Sequence, residues 1–216
     1  MIKMPEAQMP LFAVERLRFG VDDPGVRTLV CAANCPLRCR YCINACSWDD
    51  SFHAEPFSVH ELYDAVRIDN LYSQSTGGGI TFGGGEPLLY PEFLIQFARF
   101  CPEEWDMQVE ASLNVPRKNL ELCMDVFSHF YVDIKSMNPN TYTRYTGGTL
   151  NTVLDNLQHL LANRGAETVT VRVPLIPDFN DMKEQERSAA ALRRLGVINL
   201  DLFPYIPKVA GSRESE

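Results

Sequence analysis

Short β-rich runs alternate with helix-patterned runs six times along the chain, and this recurrence restricts the fold more than any single residue does. The first run is Val26 to Cys31, entered from a turn at Asp23-Pro24-Gly25. Ser58-Val59-His60-Glu61 then has the form of a capping box, with Leu62, Ala65, Val66 and Ile68 to Asn70 following at roughly helical spacing. Ile80-Thr81-Phe82 leads through Gly83-Gly84-Gly85-Glu86-Pro87 into a helix whose first turn tolerates Pro91. Met107 to Ala111 and a helix over Asn119 to Phe127 repeat the unit. So do Phe130 to Ile134, a short turn capped at Asn138-Pro139, and a helix near Asn151 to Ala162. Thr168 to Val173, a helix capped at Asp181, and Val197 to Phe203 close the series. The first twenty-five residues carry an apolar patch at Leu11, Phe12 and Val14 and are assigned no strand.

Strand-helix alternation implies a parallel sheet with right-handed crossovers. The expected fold is α/β, an open partial (βα)6 barrel, in one domain over residues 1–216 with its core at about 21–205. Chemistry in such folds gathers at the strand C-termini, and the polar residues of this chain fall there. Cys35, Cys39 and Cys42 follow the first strand and Gly84-Gly85-Glu86 the second. Glu110 ends the third, Asp133 and Lys135 the fourth, Arg172 lies on the fifth, and Tyr205 follows the sixth.

The three cysteines stand at C-x3-C-x2-C spacing. Thiolates select soft centres, which leaves an iron-sulfur cluster or zinc. A cubane on three cysteines keeps one iron open to a substrate or cofactor. Zinc would need a fourth ligand, for which Cys46 and His53 are the candidates. Seven cysteines, an odd number, suit a reducing compartment better than a disulfide framework. Cys101 and Cys123 fall on apolar helix faces and read as core, whereas Cys31 and Cys46 carry no assignment. His53, His60, His129 and His159 read as helix and loop residues.

Charge excludes some partners. The net charge is −8 without a lysine or arginine run, so neither nucleic acid nor an anionic membrane is expected. No signal-peptide core or membrane span is evident, and a cytoplasmic location is expected.

CPLRCRYC, with an aromatic residue before its last cysteine, resembles the cluster motif of radical S-adenosylmethionine (SAM) enzymes. VDDPGVRTLV, TFGGGEPLL, YVDIKSM, YTGGTLNTVLDNL, VRVPLIPDFND and LFPYIP extend the resemblance from Val21 to Tyr205. Within that superfamily it points to the glycyl radical enzyme activating enzymes of the pyruvate formate-lyase activating enzyme type. The resemblance implies a 4Fe-4S cluster on Cys35, Cys39 and Cys42, whose open iron takes the amino and carboxyl groups of SAM. It places Tyr41 and Ile43 along the adenine, the Gly84-Gly85-Glu86 turn at the methionine amino group, and Asp133 and Lys135 facing SAM. Glu110 and Arg172 complete the cofactor rim, and a bulky residue at Gly85 is expected to weaken SAM binding while sparing the cluster. The implied reaction is reductive cleavage of SAM, followed by removal of a Cα hydrogen from a glycine of a partner glycyl radical enzyme. A flavodoxin or ferredoxin-like protein would supply the electron, and the chemistry suits anaerobic life.

Two rival readings stand beside it: a radical SAM enzyme acting on a small molecule, of the 7-carboxy-7-deazaguanine synthase type, and an iron-sulfur or zinc module without turnover. The chain also departs from the family pattern. Glu110-Ala111-Ser112-Leu113-Asn114 stands in place of the family's D-T-N-G, the segment where some relatives build a cation site. Ile43 and Ile206 stand where histidines are common. The sequence stops at Glu216, where many relatives continue with another helix, so a less covered lateral opening is expected.

Overall fold

The computed structural model describes residues 6–20, 25–48 and 54–207. Asp23, Pro24, His53 and the segment beyond residue 207, on which the turn, one zinc alternative and the uncovered opening rest, lie outside it. Among the described residues eight strands form one open sheet: β1 (Gln8–Phe19), β2 (Val26–Ala32), β3 (Glu55–Ser58), β4 (Gly79–Gly84), β5 (Asp106–Ala111), β6 (His129–Asp133), β7 (Val169–Leu175) and β8 (Asn199–Pro204). Their order is β3-β1-β2-β4-β5-β6-β7-β8, so the two margins do not meet. The six expected strands are β2, β4, β5, β6, β7 and β8, each parallel to its neighbour.

The correction concerns the N-terminus. β1 pairs antiparallel with both β2 and β3, which makes eight strands where six were expected. Two register irregularities interrupt β1, between Leu11 and Ala13 and between Glu15 and Arg18, and Leu17 sits at φ 55°. Bulges of this kind break the period-2 alternation by which a strand is read.

The helices are α1 (Val59–Val66), α2 (Asn70–Thr76), α3 (Pro91–Phe100), α4 (Arg117–Cys123), α5 (Pro139–Thr146), α6 (Leu150–Arg164) and α7 (Met182–Arg194). At α1 the expected capping box forms, with the Glu61 carboxylate accepting from the Ser58 amide at 2.8 Å. The helical run does not continue to Asn70, because a 3-10 turn at Arg67–Asp69 separates α1 from α2. A two-pronged ion pair from Arg16 on β1, both contacts 2.6 Å, holds Asp69 in that turn. Between Cys123 and Phe127 the chain leaves helix, and α4 is shorter than its apolar spacing suggests.

Every residue of β2 is buried, as a strand covered on both faces requires. Phe82 of β4 and Phe130 of β6 join Phe93, Phe97 and Phe127 in the core, with Phe82 and Phe97 edge to face at 5.6 Å. Truncating a buried phenylalanine costs about 3–5 kcal/mol. At the N-terminal end of the sheet the fully buried Arg27 guanidinium joins three strands. It donates to Thr81 Oγ1 at 2.9 Å, to the Ile80 carbonyl at 3.0 Å and to Asp106 Oδ2 at 2.8 Å. These bonds tie β2, β4 and β5 together at that end.

Candidate active site at the strand C-termini

The cysteine loop leaves β2 at Ala32 and is sewn onto the glycine turn that leaves β4. Gly85 N donates to the Ala32 carbonyl and Glu86 N to the Asn34 carbonyl, each at 2.8 Å. Asn34 adopts φ 65°, a left-handed conformation that asparagine tolerates better than most residues. Its Nδ2 donates to the Tyr90 hydroxyl at 2.8 Å. From the other side, Asn44 Nδ2 donates to the Gly84 carbonyl at 2.9 Å. The C-terminal end of α5 anchors the middle of the loop, with Arg38 N on the Thr146 carbonyl at 2.7 Å and Arg40 N on the Tyr145 carbonyl at 3.0 Å. Leu37 is buried against Gly148, where an added Cβ would lie 2.4 Å from Leu37 Cδ2.

The three thiols of this loop are free and half-buried. Burial pushes Cys35 up to about 12, with Glu86 and the other two thiols adding to the effect. Burial also pushes Cys39 up to about 11; Lys135 pulls against this and Cys42 adds to it. Three thiols that feel one another within a single loop are the donor set a 4Fe-4S cluster needs. Among the described residues no three His, Cys, Asp or Glu side chains converge as around one metal ion. A cubane asks for less convergence, since each thiolate binds a different iron. Cys46 is exposed, and Cys101 and Cys123 are buried as core.

The glycine turn corrects one expectation. A Cβ on Gly85 would lie 2.2 Å from the Asn34 carbonyl oxygen, so the missing side chain admits the protein's own cysteine loop. Gly85→Val is therefore expected to lose iron together with SAM binding, and to unfold at lower temperature. Iron content and a thermal melt of the variant check this, and a variant with full iron would contradict it.

Glu86 is wholly buried, and its carboxylate is engaged within the protein. Its Oε2 accepts from Ser112 Oγ at 2.5 Å and from Ser112 N at 2.8 Å, which clasps the glycine turn to the end of β5. Burial pushes the carboxyl up to about 7, against the pull of the Ser112 and Leu88 hydrogen bonds. Next to Ser112, Leu113 is buried at φ 57°, and Asn156 Nδ2 holds its carbonyl at 2.9 Å. A non-glycine residue held there costs about 1–3 kcal/mol and persists only where the surroundings impose it.

The ends of β5 and β6 and the middle of β7 carry one charge network. Arg172 donates through Nε to Asp133 Oδ1 at 2.7 Å and through Nη1 to Glu110 Oε1 at 3.1 Å. Lys135 Nζ donates to Asp133 Oδ2 at 3.0 Å. Burial alone would raise Asp133, but the Arg172 and Lys135 charges hold it well below the usual carboxylate range. Two carboxylates and two cations balance, and a guanidinium occupies the space between Glu110 and Asp133.

Beside the loop stands an aromatic wall. Tyr41 meets Phe179 at 5.6 Å and Tyr145 at 6.1 Å, its hydroxyl donates to Asp178 at 3.1 Å, and its carbonyl accepts from the Tyr205 hydroxyl. Ile43 is 57% exposed. The residues expected on the rim, Cys35, Cys39, Cys42, Tyr41, Ile43, Gly84, Gly85, Glu86, Glu110, Asp133, Lys135 and Arg172, thus belong to loops and strand ends on one side of the sheet. Sequence reasoning missed Ser112, Asn44, Asn156 and Phe179; only Ser112, two residues past Glu110, carried a positional signal. A cleft of about 550 Å³ opens elsewhere, between α3 and α4 around Trp105 and Met107 at the start of β5. It contains no thiol and lies at the end of the sheet that Arg27 locks.

Residues 29–192 match the family described as the Radical SAM superfamily. The pyruvate formate-lyase-activating enzyme of Clostridium pasteurianum is 32% identical over 187 residues, covering 86% of this chain and 77% of that protein. The indoleacetate decarboxylase activating enzyme of Tractidigestivibacter scatoligenes is 34% identical over 167 residues, covering 76% of this chain. This chain spans about half the length of that second relative, 52%. Among solved structures, a domain of pyruvate-formate lyase-activating enzyme from Bacteroides vulgatus superposes with TM-score 0.52 at 30% identity, covering 63% of this chain and 86% of that one. Streptococcus suis SuiB bound to S-adenosylmethionine superposes with TM-score 0.61 over 82% of this chain and 40% of that one, at 10% identity, a likeness of fold alone.

Proposed function

The chain belongs to the radical SAM superfamily, whose enzymes use a 4Fe-4S cluster and SAM, and from that premise we propose that it activates a glycyl radical enzyme. The observation that carries the reading is the suture of the cysteine loop to the glycine turn, opposite a neutralised charge network, in a chain whose relatives bear the names of activating enzymes. Held by Cys35, Cys39 and Cys42, the cluster would supply the electron for SAM cleavage to a 5'-deoxyadenosyl radical, which takes the glycine Cα hydrogen.

The protein supplies position. The backbone of Gly84-Gly85-Glu86, fixed from below by the Ser112 clasp, meets the amino group of methionine. Lys135 uses one ammonium hydrogen on Asp133, leaving two for the carboxylate of SAM. Asp133 stays ionised and keeps Lys135 and Arg172 in place. Tyr41 and the exposed Ile43 offer an aromatic edge and an apolar surface to the adenine. None of these groups is required to give or take a proton in the chemical step.

No helix among the described residues is long and apolar enough to cross a membrane. The net charge of −8 supports a partner that is neither an anionic lipid surface nor nucleic acid. The test is an anaerobic incubation of this protein with SAM, a reductant and a glycyl radical enzyme encoded beside it. The expected result is a glycyl radical doublet in electron paramagnetic resonance and about one 5'-deoxyadenosine per radical, the balance that hydrogen transfer to the nucleoside requires. If 5'-deoxyadenosine forms, no partner acquires the doublet, and 6-carboxytetrahydropterin is consumed, the small-molecule reading replaces this one.

A further inference from the structure

The outer face of the cysteine loop is cationic on an acidic protein. From Leu37 to Arg40 exposure alternates: Leu37 is buried, Arg38 exposed, Cys39 half-buried and Arg40 exposed. Arg38 and Arg40 are thus exposed on either side of Cys39; the Arg38 guanidinium bends back to donate to the Cys35 and Leu37 carbonyls while keeping its charge at the surface. The amides of those same arginines rest on the last turn of α5, which carries the exposed Arg144. Arg144 donates to the Phe179 carbonyl at 2.9 Å, and its guanidinium stands 5.1 Å from the Phe179 ring centroid. Among the described residues neither Arg40 nor Arg144 forms an ion pair. Asp178, the carboxylate beside them, already accepts from Tyr41.

We propose that Arg38, Arg40 and Arg144 form the docking surface for an acidic one-electron carrier protein, which reduces the cluster from outside the loop. The proposal rests on the cluster reading given above. With 28 acidic and 20 basic residues, the chain as a whole repels an acidic protein. A local cluster of guanidinium groups reverses that field over one face, which sets orientation and raises the association rate more than it adds affinity. Arginine suits the task because its planar fork pairs two-pronged with carboxylates and stays charged at any working pH. Position favours an electron carrier over the protein substrate. Arg38 and Arg40 are the covalent neighbours of Cys39, so a carrier seated on them brings its redox group next to a cluster ligand. On its inward side Cys39 feels the charges of Lys135 and Asp133, the residues assigned to SAM in the function proposed above.

One electron passes from the reduced carrier to the oxidised cluster, and no bond forms between the two proteins. The test uses the cluster-loaded protein, with reduced flavodoxin as the carrier and dithionite as a small reductant in a parallel arm. Both arms are read as 5'-deoxyadenosine released from SAM without any glycyl radical enzyme, so the outcome does not depend on the activase reading. Arg40→Glu is the informative variant, because among the described residues this side chain makes no hydrogen bond or ion pair that holds the loop; Arg40→Lys keeps the charge. The flavodoxin-driven rate at sub-saturating carrier is expected to fall about tenfold in Arg40→Glu and less than about twofold in Arg40→Lys, the range a rim charge commands. The dithionite-driven rate and the iron content should match the parent. Calorimetric titration of the parent with flavodoxin should show binding that weakens from 50 to 300 mM salt, as expected for a charged contact of about three pairs, and the Arg40→Glu variant should bind more weakly at low salt. Equal losses with both reductants, an unchanged flavodoxin rate, or a parent that binds neither flavodoxin nor a ferredoxin would each overturn the proposal. So would a defect that shows only when a glycyl radical enzyme is present, which would assign the arginines to the protein substrate.

Discussion

Cys39→Ala should contain almost no iron after anaerobic reconstitution and release no detectable 5'-deoxyadenosine from SAM. Cys35→Ala and Cys42→Ala should behave alike, since a cubane with two protein thiolates has two irons without anchorage. Parent protein should hold about four irons per chain, the content of one cubane. The effect is large because carbonyls of α5 and hydrogen bonds shared with the glycine turn hold the loop, so an alanine at position 39 removes a ligand from an otherwise intact frame. Cys101→Ala and Cys123→Ala are the controls. Both thiols are core, and their removal should lower the melting temperature while leaving the iron in place. Stoichiometric zinc and no iron in protein purified without oxygen would reject the cluster.

Arg172→Leu should be the most damaging change outside the cysteines. It orphans Glu110 and leaves Asp133 with Lys135 alone, where breaking a buried pair costs about 3–5 kcal/mol. With side-chain exposures of 21% for Arg172, 25% for Glu110 and 27% for Asp133, about 3 kcal/mol, the low end of that range, is expected. The sign of the pH dependence follows from Asp133. Its folded pKa lies below the unfolded value, so the stability it contributes is present at neutral pH and lost as pH falls through the acid range. The gap between parent and Arg172→Leu should therefore be widest near neutrality and close as the medium is acidified. Denaturant titrations of both proteins at several pH values measure it; a gap independent of pH would mean that the guanidinium contributes by packing alone.

Much of this site was legible in advance because topology collects strand ends without knowledge of any contact. Six parallel strands were enough to place the cysteines, the glycine turn, Glu110, Asp133, Lys135 and Arg172 on one rim. What stayed hidden depended on partners far away in sequence. Glu86 looks like a ligand-facing acid in a glycine-rich turn, and only the fold brings Ser112 beneath it. Gly85 signals close approach, but its neighbour is the Asn34 carbonyl. The pairing of Asp133 with Arg172 depends on the register that sets those two residues opposite each other on β6 and β7. β1 was missed for a local reason, since its bulges and Pro10 erase the alternation that strand reading relies on.

An open sheet has two margins, and exposed margins invite a second copy to add strands and grow a fibre. Here both are blunted. β3 is four residues long, with Pro56 set against Pro10 of β1. β8, to whose outer side no described strand pairs, carries the exposed carboxylate of Asp201 and ends at Pro204, which has no amide hydrogen to donate. The sheet can therefore stay unclosed without becoming a template for its own polymerisation.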